Sequence, residues 1–142
     1  MSDPQEIIPE EDFAMTVYEI GRMGEDAVCR YLESRCYQIL VRNFRIRGGE
    51  IDVIASRNDE LCFIEVKTRK RDGLTDGFSA VDRRKQRLLI RTAHAYCNQN
   101  QIEISDWYLR YDIAVVTTLH DRIINLEYLE NAFDETDFSD NY

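Results

Sequence analysis

The stretch CFIEVKTRKR, Cys62 to Arg71, decides how this chain is read: it begins as a buried strand yet carries Glu65 and Lys67 inside its apolar run. Alternation along a strand sends Ile64 and Val66 to one face. Glu65 and Lys67 go to the other, about 7 Å apart at roughly 3.3 Å per residue. A carboxylate taken out of water needs a partner. The strands on either side say what that partner is.

Upstream, Tyr37 to Ile46 (YQILVRNFRI) and Glu50 to Ala55 (EIDVIA) are predicted strands joined at a Gly48-Gly49 turn. The turn Arg57-Asn58-Asp59 leads into the third strand, Leu61 to Thr68, which makes an antiparallel meander. If the second and third strands pair so that partner numbers sum to about 117, Asp52 lies opposite Glu65, with Cβ atoms about 4.5–5.5 Å apart. Opposed like charges destabilise a sheet unless a cation sits between them, and two carboxylates with water and phosphate suit Mg²⁺ or Mn²⁺. Lys67 would then stabilise charge developing on a phosphate or position a water. The set suits hydrolysis of a phosphodiester. A plainer reading stands beside it, in which Glu65 and Lys67 form a same-face ion pair and Asp52 pairs with Arg45 or Arg47 across the hairpin.

Two helices frame the meander. Between Val17 and Cys36 the residues Ile20, Met23, Ala27, Val28, Tyr31 and Leu32 recur at three- and four-residue spacing, an amphipathic helix. At about 100° per residue, Asp26, Arg30 and Glu33 fall opposite this stripe, whereas Glu25 lies at its edge near Leu32. Glu25 is either a third acid for the site or an ordinary solvated helix residue. After the third strand comes a basic loop, Arg69 to Phe78. Ser79 with Asp82 three residues on then resembles a helix start, and the apolar face runs from Val81 to Cys97. Trp107 to Thr117 is a predicted fourth strand and Arg122 to Leu126 a short fifth. FDETDFSDNY, from Phe133 on, is too polar and acidic to order itself, so a mobile tail is expected. The expected organisation is an acidic N-terminal extension at 1–16, one domain at 17–133 and an acidic mobile tail at 134–142.

Composition agrees with one domain: 142 residues, 44% hydrophobic, supply one sizeable core rather than two. The formal charge of −9 conceals a division. Residues 1–20 hold six acids and no Lys or Arg, and residues 121–142 hold seven acids and one Arg, while Lys67 to Arg91 holds nine bases against three acids. That central segment is a candidate surface for a nucleic-acid backbone, with Arg69, Lys70, Arg71, Arg84 and Lys85 the named contacts, although a charge run is also an ordinary solvated face. Cys29, Cys36, Cys62 and Cys97 form no CxxC pair, which points away from zinc and disulfides. No run approaches a membrane span and the first residues lack signal-peptide features, so a cytoplasmic protein is expected.

The segments GRMGEDAVCRYLESRCYQILVRNFRIRGGEIDVIA, CFIEVKTRK and RYDIAVV, with Lys85 between the last two, resemble in order the YraN-like family of small bacterial proteins. That family is akin to Holliday-junction resolvases of the restriction-endonuclease-like, PD-(D/E)XK superfamily. The resemblance spans about Gly21 to Phe133. It implies an α/β fold with a mixed central sheet flanked by helices in αβββαβ order. It also implies a metal-dependent endonuclease acting on structured or branched DNA, with Glu25, Asp52 and Glu65 at Mg²⁺ (or Mn²⁺) and Lys67 as the catalytic lysine. Lys85 matches a helix lysine suited to backbone phosphate, and Arg110 with Asp112 a strand pair of structural rather than catalytic character. A homodimer is implied by the two-fold symmetry of a junction. The acidic tails depart from the family pattern and are expected to contact the chain's own basic surface or a protein partner. A non-catalytic nucleic-acid-binding or adaptor module with the same fold is the alternative.

Overall fold

A computed structural model of the chain describes residues 14–73, 76–136 and 138. The first helix, α1, is Val17–Ser34; Thr16 caps it by accepting the Glu19 N–H at 3.1 Å, and Gly24, Val28, Cys29 and Leu32 form its buried stripe. Three strands follow as the expected meander: β1 Gln38–Ile46, β2 Gly49–Arg57 and β3 Glu60–Lys70. A second helix, α2 (Arg83–Gln99), carries the chain back to β4 (Tyr108–Leu119), which lies parallel to β3, and β5 (Arg122–Phe133) closes the sheet antiparallel to β4. The five strands are ordered as in the sequence, β1 to β5, and the single parallel pair makes the sheet mixed. The helix crossover is what a parallel pair requires, since a short turn cannot bring the chain back to the same end.

Each face of the sheet has its own core. Val28, Cys29 and Leu32 of α1 cover Val53, Ala55, Cys62, Ile64, Ala114 and Val116. Leu89, Ala93, Tyr96 and Cys97 of α2 cover Ile51, Ile54, Phe63, Tyr111 and Val115 on the other face. The fold is the α/β class expected, a mixed sheet with one helix on each side. Among the described residues no helix is long and apolar enough to cross a membrane.

Three boundaries differ from the sequence reading. The N-cap of α2 is Asp82, whose Oδ1 accepts the Lys85 N–H at 2.9 Å, and Ser79 belongs to a separate 3₁₀ turn, Phe78–Ala80. An Asp immediately before the helical residues satisfies the first-turn donors directly, so the earlier Ser is not needed as the cap. β5 runs on to Phe133, not Leu126. As the edge strand it buries little of either face, so Asn125, Glu127 and Glu130 interrupt its apolar pattern at no cost.

The third difference lies at the C-terminus. Of the stretch expected to be a mobile tail, Glu135 and Phe138 meet α2, while Asp134 and Thr136 are exposed. Tyr111 O–H donates to Glu135 Oε1 at 2.6 Å, His94 Nε2 is hydrogen-bonded to the same oxygen, and Phe138 is 4% exposed. One aromatic anchor with a carboxylate latch outweighs the polarity of the segment. The rest of that tail and residues 1–13 of the N-terminal extension lie outside the described residues.

Candidate active site

Backbone pairing of β2 with β3 runs from Arg57↔Glu60 to Val53↔Ile64, always at positions summing to 117, and stops one residue short of Asp52 and Glu65. Beyond that point the Asp52 side chain takes over from the ladder: its Oδ2 accepts the Val66 N–H at 2.8 Å. The face alternation also breaks there. Val53 belongs to the α1-side core, but Ile54 and Ile51 both belong to the α2-side core. Opposite, between the pairs Arg42↔Val53 and Phe44↔Ile51, Asn43 takes a left-handed φ of 55°. The strand geometry is therefore irregular at Asn43 and Asp52, next to the end of the β2–β3 ladder. Arg45, considered from the sequence as a partner of Asp52, instead pairs with Glu50 at 3.6 Å.

Glu65 is buried, its side chain only 6% exposed, and its Oε1 receives two ammonium groups, Lys67 Nζ at 3.5 Å and Lys85 Nζ at 3.6 Å. Burial raises its carboxyl above the ordinary range, against the pull of Lys85 and Lys67. Asp52 is pushed up to about 7, first by burial and then by the Glu65 charge; the Val66 N–H opposes this, and Glu25 and Glu50 add to it. Burial and the Glu65 charge thus hinder ionisation of Asp52 near neutral pH, the arrangement expected where acids are gathered for a task other than stability.

Glu25 reaches the site from α1. Its side chain is 16% exposed, its Oε1 accepts from Asn43 Nδ2 at 3.1 Å, and the same oxygen lies 3.6 Å from Arg42 Nη2. Arg42 is more closely engaged with Asp26 Oδ1, at 2.7 Å. Gly24 makes the approach of α1 possible, because a Cβ at that position would overlap Thr68 Oγ1 of β3. The glycine beside Glu25 is therefore steric, a close approach of helix to strand.

The sequence model of the uncharacterised protein family UPF0102 matches residues 24–116 of this chain. The chain belongs to the UPF0102 family. A UPF0102 protein of Alkaliphilus oremlandii is 38% identical over 115 residues, which covers 81% of this chain and 97% of that protein. One from Geobacter sulfurreducens is 37% identical over 115 residues, 81% and 88% of the two chains, and one from Fusobacterium nucleatum 40% over 98 residues, 69% and 81%. The matched region of this UPF0102 chain begins at Gly24 and includes every residue gathered around Glu65.

Of the residues singled out from the sequence, Asp52, Glu65, Lys67 and Lys85 come together in this UPF0102 fold, and Glu25 joins them from the helix. Lys85, expected at backbone phosphate, is ion-paired to Glu65 itself. Arg69 is half-buried near the end of β3, and Lys70, Arg71 and Arg84 are exposed. Among the described residues no three His, Cys, Asp or Glu side chains close into a ready-made metal cluster. The residues that could hold a divalent ion are Asp52 and Glu65, and water and phosphate would have to complete its coordination. Beside it, a cleft of about 350 Å³ between the β1–β2 hairpin and α2 is lined by Arg45, Gly48, Gly49, Glu50, Lys85 and Leu88, among others.

Arg110 and Asp112 lie with the α1-side core instead. Arg110 Nε and Nη2 donate to Asp112 at 3.0 and 2.9 Å, Nη1 donates to Glu60 Oε2 at 2.8 Å, and Tyr128 O–H and the Asn131 N–H also donate to Asp112, at 2.6 and 2.9 Å. The docked tail meets α2 on yet another side: Phe138 packs under Arg83 and Arg87, their guanidinium carbons 4.7 and 5.4 Å from the ring centre. Arg83 and Lys85 project about 200° apart around the helix, so the described tail covers a flank other than the one that faces Glu65. The residue that sequence reasoning missed is Asn43; its signal was an Asn in the middle of a strand, the side chain most tolerant of a left-handed backbone after glycine.

Proposed function

We propose that this UPF0102 protein is a metal-dependent endonuclease that hydrolyses phosphodiesters in DNA, acting in the cytoplasm on branched or otherwise structured DNA. The observation that carries this reading is the buried Asp52–Glu65 pair with two lysines converging on it. Asp52 and Glu65 would hold Mg²⁺ or Mn²⁺, with Glu25 behind them, and such a cation would supply Lewis-acid stabilisation of a phosphate oxygen. Lys67, half-exposed beside Glu65, offers a positive charge to the phosphate as negative charge builds on it. Lys85 does the same from α2 and ties the site to the cleft lined by Arg45 and Glu50. Arg69, Lys70, Arg71 and Arg84 supply sequence-independent backbone contacts, which fits recognition by shape rather than by base edges.

A second reading has its own observation. Both lysines already neutralise Glu65, so the same pocket can accept a phosphate without cutting it, as a nucleic-acid-binding module would. The test is cleavage of labelled duplex, single-stranded, flap and four-way-junction DNA with Mg²⁺, Mn²⁺ or EDTA, with wild type beside Asp52→Asn and Lys67→Ala. Metal-dependent cutting lost in both variants supports the endonuclease. Tight binding by all three proteins with no cutting by any of them establishes the binding module instead.

A further inference from the structure

We infer that Asn43 is a positioning residue: it bridges the helix acid and the strand acids and aims the Glu25 carboxylate at the Asp52–Glu65 pair. This rests on the reading of that pair as a cation site. Asn43 stands opposite Asp52, between the register pairs Arg42↔Val53 and Phe44↔Ile51, and its Nδ2 donates to Glu25 Oε1 at 3.1 Å. One residue thus touches the acid of α1 while sitting across the ladder from the acid of β2.

The side chain can do this because the backbone turns left-handed there, with φ 55°. The turn resets the strand alternation: Arg42 meets the α1 acids Glu25 and Asp26, whereas Phe44 packs edge-on against Tyr96 of α2. An amide suits the role. It holds Glu25 Oε1 by a directional N–H donation at 3.1 Å, whereas Arg42 Nη2 meets the same oxygen only as a looser ion pair at 3.6 Å. Arg42 cannot replace it, being 3.6 Å from Glu25 and committed to Asp26 at 2.7 Å.

The experiment compares Mn²⁺ binding, by electron paramagnetic resonance, to the full chain as wild type, Asn43→Gly, Asn43→Asp, Glu25→Gln and the Asn43→Gly/Glu25→Gln double variant. Glycine adopts the left-handed backbone and lacks only the amide; aspartate keeps shape and backbone preference but meets Glu25 with a like charge. The expected result is Mn²⁺ affinity about 10- to 100-fold weaker in Asn43→Gly, in the range typical of residues that orient a metal's carboxylates. Asn43→Asp should be at least as weak, and Asn43→Gly should cause no further loss once Glu25 is already Gln. Unchanged affinity in Asn43→Gly, or an equal loss in the Glu25→Gln background, overturns the assignment and leaves the endonuclease reading standing. A wild type that takes up no Mn²⁺ overturns both.

Discussion

Two groups of buried charge are set into this sheet, and they differ in how completely they are answered. On the α1 side, Arg110 and Asp112 are closed in by Glu60, Tyr37, Tyr128 and the Asn131 N–H, so that both carboxylate oxygens of Asp112 and each nitrogen of the guanidinium have partners. Where the β2–β3 ladder ends, Glu65 has two lysines on one oxygen, Asp52 is held by a single backbone N–H, and the Glu65 charge raises the proton affinity of Asp52. A satisfied network of buried charge is architecture. One in which burial and a neighbouring acid keep a carboxylate's proton affinity high is a candidate functional site.

Removing a partner from the satisfied group has the largest expected effect on stability. Asp112→Ala leaves Arg110 buried and charged and should cost about 3–5 kcal/mol in urea unfolding; a loss below about 1 kcal/mol would erase the distinction between the two groups. The opposite sign is expected at the site. Asp52 has its folded-state affinity for protons raised from 3.8 to about 7, so its contribution is greatest below pH 4 and is lost as pH rises towards 7. Asp52→Asn should therefore stabilise the fold at pH 8, by at most roughly 4 kcal/mol at 1.36 kcal/mol per pH unit, and by little at pH 4. Melting curves at the two pH values check this, and Mg²⁺ should raise the pH 8 melting temperature of wild type but not of Asp52→Asn.

Smaller effects test how the site is held together. Gly24→Ala drives a methyl group into Thr68 Oγ1 and should cost about 1–3 kcal/mol through overpacking, partly recovered in Gly24→Ala/Thr68→Ala; no recovery would mean that α1 approaches β3 for another reason. Phe138→Ala should have the smallest effect, about 1 kcal/mol, since a chain end can detach without opening the core. Hydrogen exchange should then rise at the C-terminus while the amides of β3 stay protected.

Much of this was legible in the chain. The meander, the pairing at positions summing to 117 and the amphipathic spacing of both helices follow from local rules of alternation and turn chemistry, which act over a few residues and leave their period in the sequence. Glu65 and Lys67 declared themselves by being charged inside an apolar run. Other features had no local signature. The length of β5 is decided by backbone bonds to β4, which ask little of its side chains, and the docking of the C-terminal segment depends on Phe138 finding α2. Lys85 meets Glu65 only because the crossover lays α2 over that end of β3. Asn43 shows the division most clearly: the sequence by itself determined that an αL-tolerant residue interrupts β1, while the tertiary fold decided what its amide holds. Backbone preference is a property of one residue, but a hydrogen bond to Glu25, eighteen positions away, exists only once helix and sheet have packed.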